Sequence, residues 1–125
     1  MSKIIIVIAS VLLALAVAAG AFGAHALKAQ LSTEMLQTWK TAVDYHFYHA
    51  LGLLLIGVLS VALPGLPLKW PAILLVLGMV LFSGSLYALS LTGIKVLGAI
   101  TPLGGLSFIA AWLVLAFAVW KKLPF

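Results

Sequence analysis

Long uncharged apolar stretches, separated by short polar segments, dominate the sequence. Four such stretches lie between the charged residues: 4–27, 45–68, 70–94 and 96–120. A helix that crosses a bilayer needs about 20 predominantly apolar residues at a rise of about 1.5 Å per residue, so each stretch is long enough. The pattern predicts an all-α integral membrane protein, folded as a four-helix bundle with short loops.

Turn-forming residues set the expected ends of the helices. The hydroxyls at 32–33 can cap a helix that carries Glu34 in its first turn, and the Pro-Gly-Leu-Pro segment at 64–67 ends that helix. Pro71 and Pro102 suit the first turn of the next two helices. The predicted spans are about 4–27, 45–63, 71–91 and 102–120, preceded at the second span by an amphipathic helical start at about 33–44. Residues 1–125 are thus predicted to form a single four-span transmembrane domain.

Composition excludes several classes of protein. Apolar residues make up 66% of the chain and charged residues 7%, where roughly 25% is usual, so neither a soluble domain nor a disordered chain is expected. The absence of cysteine excludes disulfides, thiolate catalysis and cysteine-ligated metal or iron–sulfur sites. The lysines are scattered at helix ends without any arginine, which argues against nucleic-acid binding.

The N-terminus permits two interpretations. Lys3, the apolar run 4–19 and the small residues at 24–26 imitate a cleaved secretory signal. Cleavage would leave three spans, however, and the first stretch has the small-residue spacing of a packed helix. We therefore favour a retained first span.

Small residues form two stripes along this first span. One stripe contains Ser10, Ala14, Ala18 and Ala21 and continues to His25, and the other contains Ala9, Ala16, Gly20 and Gly23. Helices in lipid approach one another through small residues. The two stripes predict two close helix neighbours for the first span.

Lysine positions predict the orientation in the membrane. With four spans, one side carries Lys3, Lys69, Lys121 and Lys122, and the other carries Lys28, Lys40 and Lys95. Cytoplasmic loops are enriched in lysine and arginine. Both termini are therefore predicted to be cytoplasmic, and the segment 28–44 is predicted to lie outside.

The three histidines are the first candidates for chemistry. His25 ends the first span, while His46 and His49 lie one turn apart near the start of the second, so all three should lie near the same membrane face. Three imidazoles from two helices could ligate a metal ion. We favour instead histidines that hydrogen-bond neighbouring groups and tie spans one and two together, with no metal ion and no cofactor. On that hypothesis Asn or Gln should replace His25 or His49 with little loss.

The third span carries a second polar set on one helical face: Ser83, Tyr87 and Ser90. One interpretation is that this face lines a substrate or proton path. We favour hydrogen bonding between helices, because no charged side chain lies within any of the four spans and coupled transporters usually need one.

Several separated motifs resemble the YgdD-like family of small four-span bacterial membrane proteins of unknown function. They are GAFGAHAL at 20–27, WKTAV at 39–43, Tyr45 with HAL at 49–51, FSGSLY at 82–87 and ITPLGG at 100–105. The resemblance implies an inner-membrane location. It also implies that His25, His49, Ser83, Tyr87 and the turn that begins at Thr101 are the characteristic positions. His46 departs from the family pattern, in which glutamine is more frequent, and this weakens a three-histidine metal site.

The leading functional hypothesis is a structural or membrane-homeostasis component that acts through contacts with membrane lipids or proteins. The alternative is a small transporter or channel whose path forms between protomers of a homo-oligomer. No nucleophile–base pair, acidic dyad, phosphate loop or cofactor fingerprint is present in the sequence, so no enzymatic activity is expected.

Overall fold

The computed structural model describes residues 1–124 of the chain. Five α-helices account for most of these residues: α1 (Ser2–His25), α2 (Thr33–Ala62), α3 (Lys69–Gly78), α4 (Gly84–Thr92) and α5 (Thr101–Lys122). A π-helical turn, Met79–Ser83, joins α3 to α4, and a 3-10 turn, Lys95–Ala99, precedes α5. No β-strand occurs within this part of the chain.

Four helical segments are long and apolar enough to cross a membrane. They are Ser2–His25, Thr33–Ala62, Lys69–Thr92 and Lys95–Lys122, so α3, the π turn and α4 together form the third segment. The predicted all-α fold with four membrane-spanning helices is confirmed.

Local sequence explains where the second helix begins and where the third segment ends. Ser32 has an extended backbone, and its hydroxyl accepts a hydrogen bond from the backbone N–H of Met35 at 3.1 Å. This cap satisfies one of the free N–H groups of the first turn. The negative charge of Glu34 in the same turn interacts favourably with the positive end of the helix dipole. Gly93 closes α4 with a left-handed backbone (φ 72°), a conformation that side chains with a Cβ rarely adopt.

The helices pack in chain order around one apolar core. The α1 helix lies along α2, and the third segment packs against both α2 and α5. Leu53, Ile56, Leu68 and Leu75 are almost wholly buried at the centre of this core. The Trp112 side chain of α5 packs against α2 at Gly52, where an added Cβ would lie 2.6 Å from the tryptophan ring.

Only one of the two small-residue stripes on the first span packs against another helix. Ala9, Ala16 and Gly23 are buried, and a Cβ at Gly23 would lie 2.5 Å from the Trp39 ring. The other stripe, from Ser10 through Ala14, Ala18 and Ala21, is exposed. The prediction of two close neighbours for the first span is therefore wrong within the single chain. Alanine is apolar enough to face lipid, so its periodic spacing does not by itself indicate a helix contact.

The π turn brings the third segment close to α5. The N–H of Gly84 bonds to the carbonyl of Met79, five residues earlier, which inserts an extra residue into the helical turn. Opposite this turn, a Cβ at Gly104 would collide with the backbone N and the Cβ of Phe82. The glycine thus permits α5 to lie against the backbone of its neighbour, an approach that small residues provide in membrane bundles.

Replacing Gly104 by alanine should destabilise the bundle, because the atom it meets is backbone and cannot rotate away. Overpacking of this kind costs about 1–3 kcal/mol. Gly105 is the matched control, since a Cβ there meets only the Phe82 side chain at 3.9 Å. Thermal unfolding in detergent should show a lower transition temperature for Gly104→Ala than for Gly105→Ala. Equal transitions would show that α5 does not make this close approach.

Candidate functional site

Two hydrogen bonds join α2 to the third helical segment. The Ser83 hydroxyl donates to the backbone carbonyl of Ala42 at 2.8 Å, and the His46 Nδ1 lies 2.8 Å from the Tyr87 hydroxyl. Ala42 and His46 are four residues apart, as are Ser83 and Tyr87. One face of α2 therefore meets one face of the third span through both pairs. We call Ala42, His46, Ser83 and Tyr87 the polar cluster.

The His46 ring pairs with Tyr87 through Nδ1, and either the phenol or the imidazole can donate this hydrogen bond, depending on the tautomer of the histidine. The other ring nitrogen, Nε2, is buried and has no hydrogen-bond partner within residues 1–124. It is therefore the one buried side-chain polar atom in this part of the chain whose hydrogen-bonding capacity is unused.

A small cavity of about 130 Å³ adjoins the polar cluster. Its lining combines cluster side chains with apolar residues of the first and third spans: Leu12, His46, Val76, Met79, Val80, Ser83, Gly84 and Tyr87. The volume is enough for a few water molecules or one small group. The accessible surface of this cavity is apolar, so the cavity suits a small apolar group, and it offers no nucleophile with an adjacent base.

Trp39 connects the first span to the polar cluster. Its indole N–H donates to the Ala19 carbonyl of α1 at 2.9 Å, and its ring lies 4.6 Å from the ring of Tyr87. The indole fits because Gly23 leaves space for it on α1. The buried tryptophan thus orders the ends of α1 and α4 against the same part of α2.

Hydroxyl groups also join the third and fourth spans. Ser85 lies 2.6 Å from the Thr101 hydroxyl, and Ser107 donates to the Leu74 carbonyl at 2.7 Å. Thr101 therefore has a hydrogen-bonding role at the first residue of α5.

The hydrogen bonds between helices that we predicted for the third span are present at Ser83 and Tyr87. The prediction is wrong for Ser90, whose hydroxyl donates to the Leu86 carbonyl within α4.

His49 packs against α5. Its ring stacks on Phe108 with centroids 3.5 Å apart and planes 8° apart, and its Nδ1 donates to the Tyr45 carbonyl in the preceding turn of α2 at 2.8 Å. The predicted tie between spans one and two is therefore wrong for this residue, because its polar bond is within α2 and its packing contact is with α5.

The three histidines do not come together. His25 is exposed at the end of α1 and makes no side-chain hydrogen bond within residues 1–124, so the predicted tie between spans one and two is wrong for this residue as well. His46 pairs with Tyr87 of the third segment, and His49 packs on Phe108. Within residues 1–124 no three His, Cys, Asp or Glu side chains are arranged to hold a metal ion. The structure thus separates the ligands that the three-histidine alternative required.

Sequence reasoning underrated His46 and missed Trp39, Phe108 and the Ala42 carbonyl. The sequence contains one partial indication of the polar cluster: the spacing of four residues between Ala42 and His46 equals that between Ser83 and Tyr87. Which carbonyl a serine reaches depends on how two helices cross, and sequence periodicity does not contain that information.

Comparison with known proteins agrees with this membrane architecture. Residues 19–105, well over half of the chain, match the family model described as "Protein of unknown function (DUF423)". The chain belongs to the DUF423 family. The matched region contains the whole polar cluster and both glycines that contact Trp39 and Phe82.

Curated relatives in this family are bacterial membrane proteins of nearly the same length. The UPF0382 membrane protein SH2409 of Staphylococcus haemolyticus is 48% identical over 119 residues, covering 95% of this chain and 97% of its own. The UPF0382 membrane protein YwdK of Bacillus subtilis is 47% identical over 122 residues, covering 97% and 99%. No solved structure matches the chain. The family is thus one of small membrane proteins of unknown function, and none of these names is that of an enzyme.

Removing the Tyr87 hydroxyl should destabilise the protein, because His46 Nδ1 would then be buried without a partner. Hydrogen bonds between membrane helices contribute about 0.6 kcal/mol on average and up to about 1.7. Tyr87→Phe keeps the ring beside Trp39, and Tyr48→Phe, at an exposed tyrosine, is the control. A double-mutant cycle with His46→Ala in detergent should give a coupling free energy of that size. Additive effects would exclude a direct bond.

Replacement of His49 by glutamine should cost more than the same change at His25. Glutamine can restore a polar contact but not the ring stack on Phe108, and aromatic pairs contribute about 0.5–1.5 kcal/mol. His49→Phe keeps a stacking ring and should be less destabilised than His49→Gln. Thermal melts of the three variants measure this order, and a stable His49→Gln protein would show that the stack contributes nothing.

Proposed function

We propose that the protein is a structural or membrane-homeostasis component of the bacterial cytoplasmic (inner) membrane, acting through contacts with lipids or other membrane proteins and not as an enzyme. The observation that carries this proposal is the use of the buried polar groups. Every buried serine hydroxyl within residues 1–124 bonds to another residue of the chain, and all of them except Ser90 reach a neighbouring helix. Polar side chains that hold helices together are not free to bind a substrate.

The outer surface supports lipid contact. Each span presents large apolar side chains away from the core, among them Val7, Leu55, Val80 and Leu113, all more than half exposed. In a bilayer these side chains would face acyl chains, so the outer surface is suited to contact with lipid along the length of each span. The resemblance to the YgdD-like proteins, the proposed inner-membrane location and the cytoplasmic termini belong to the same proposal.

The orientation proposal follows from the lysines at the ends of the spans. Ala29 lies exposed in the loop after α1, and Gly65 lies in the turn after α2, where an added Cβ would have no other atom within 4 Å. Single cysteines at these positions should both be accessible without disturbing the core. A membrane-impermeant maleimide should label Ala29→Cys from outside and Gly65→Cys only after the membrane is opened. The reverse pattern would overturn the orientation.

A transport function is the second candidate, and the unpaired His46 Nε2 favours it. A buried polar atom without a partner, in a residue that lines a cavity, is a feature of substrate and proton paths. The cavity of about 130 Å³ is too small to form a continuous path through one chain, so such a path would require protomers to combine.

One experiment separates the two functions. A deletion strain is tested for sensitivity to detergent and membrane-active peptides, and is complemented with the wild-type chain or with His46→Phe. If the protein is a structural component, His46→Phe should restore resistance in proportion to the amount of the variant found in the membrane. Proteoliposomes should show no solute or proton flux above protein-free vesicles. Flux that the wild-type chain supports and His46→Phe abolishes would overturn the structural hypothesis in favour of transport.

A further inference from the structure

We propose that a cleft between the end of α1 and the amphipathic start of α2 binds one anionic phospholipid, whose phosphate is held by Lys28 and Lys40. The inference rests on the proposed function, because it names the class of lipid that the protein contacts. It concerns a part of the molecule separate from the polar cluster.

The cleft lies where α1 presents small residues to α2 near the end of α1. Its volume is about 510 Å³, and its walls are Gly20, Gly23, Ala24, Lys28, Leu36, Trp39, Lys40, Val43 and Asp44. The lining residues that belong to α1 itself are glycine or alanine: Gly20, Gly23 and Ala24. On the α2 side the walls are larger and mainly apolar, with the Trp39 ring seated against Gly23. A groove of this form accepts a chain that lies along the helices.

The two parts of the cleft differ in chemistry. Leu36, Trp39 and Val43 make one side apolar, whereas Lys28 and Lys40 place ammonium groups at its rim. Apolar walls suit an acyl chain and ammonium groups suit a phosphate, so the cleft matches an amphiphile better than it matches a soluble anion. A free phosphate would leave the apolar walls in contact with water.

The charge at the rim favours an anion. Lys40 forms an ion pair with Asp44 at 3.0 Å, the pair expected from their spacing, but the two side chains are 65% and 37% exposed. Such exposed pairs contribute little to stability, so Lys40 can exchange its carboxylate for a phosphate. Lys28 has no ion-pair partner within residues 1–124. Two lysines against one aspartate leave the rim with a net positive charge.

The position of the cleft agrees with a lipid headgroup. It lies where α1 ends at His25 and where α2 has passed its capped first turn, beside the loop that joins them. This is the boundary between the apolar spans and the polar loop, the level at which lysines meet phosphates.

Native mass spectrometry tests the proposal on the full chain. The protein is released from nanodiscs that contain equal amounts of phosphatidylglycerol and phosphatidylcholine with identical acyl chains. The wild-type chain should retain one phosphatidylglycerol in preference to phosphatidylcholine. Lys28→Gln and Lys40→Gln should each weaken this retention about fivefold, the effect of one lysine near an anionic lipid. Lys95→Gln, a lysine outside the cleft, should leave it unchanged.

A second variant tests the shape of the cleft independently of its charge. Ala24 is exposed and lines the cleft, so Ala24→Leu should fill it and abolish preferential retention while both lysines remain. Ala18→Leu is the control, because Ala18 is also exposed on α1 but does not line the cleft. Both chains should fold, since neither side chain is packed in the core.

Three results would overturn the proposal. Equal lipid retention by Lys28→Gln and Lys95→Gln would exclude the lysine site. Displacement of phosphatidylglycerol by millimolar inorganic phosphate would show a site for a soluble anion. A lipid-free dimer that Ala24→Leu disrupts would show that a second copy covers the cleft. The proposed function stands or fails separately, because it is measured by flux and by complementation, neither of which depends on lipid retention in the spectrometer.

Discussion

The hydrogen bond from Ser83 to the Ala42 carbonyl shows the constraint on which the bundle depends. In a bilayer there is no water to satisfy a buried hydroxyl, so each must find its partner in the protein. Helices cannot gain the usual hydrophobic free energy from approaching one another in lipid, and close contact with polar pairing takes its place. The same constraint explains two further hydrogen bonds, from the Ser107 hydroxyl to the Leu74 carbonyl and from the Trp39 indole to the Ala19 carbonyl. In each, a side chain of one helix donates to a backbone carbonyl of a neighbouring helix.

Close approach and polar pairing support each other in this fold. Gly104 allows α5 to lie on the Phe82 backbone, and this brings Thr101, one turn earlier, within 2.6 Å of Ser85. Gly23 likewise makes room for the Trp39 ring, whose indole N–H then reaches α1. A side chain in place of either glycine would separate the helices and lengthen the neighbouring hydrogen bond. The glycines therefore determine polar contacts in which they take no part themselves.

The apolar pattern predicted the number and nature of the helices, because length and hydropathy alone decide whether a segment suits a bilayer. It could not decide which face of the first span is buried. Ala16 and Ala18 are similar as residues, yet one packs against α2 and the other is exposed. The apolar pattern also could not predict the π turn at Met79–Ser83. One extra residue there rotates Ser83 and Tyr87 relative to α3, and no local residue preference marks such an insertion. His46 was undervalued for a related reason, since its partner became evident only once α2 and the third span were placed together.

The Nε2 atom of His46 is the exception among the buried polar side chains, because it has no hydrogen-bond partner within residues 1–124. Nδ1 pairs with the Tyr87 hydroxyl, and the His46 ring borders a cavity that Leu12, Val76 and Met79 also line. A buried nitrogen without a partner lowers stability, so its retention requires either a bound group or a benefit from the Tyr87 bond that exceeds the loss. A glutamine side chain at this position could likewise pair with the Tyr87 hydroxyl through one end of its carboxamide and would place the other end in the same surroundings. An unpaired polar atom is therefore expected for any side chain that has two polar ends and pairs with Tyr87 through one of them, and it does not depend on the chemistry of histidine alone.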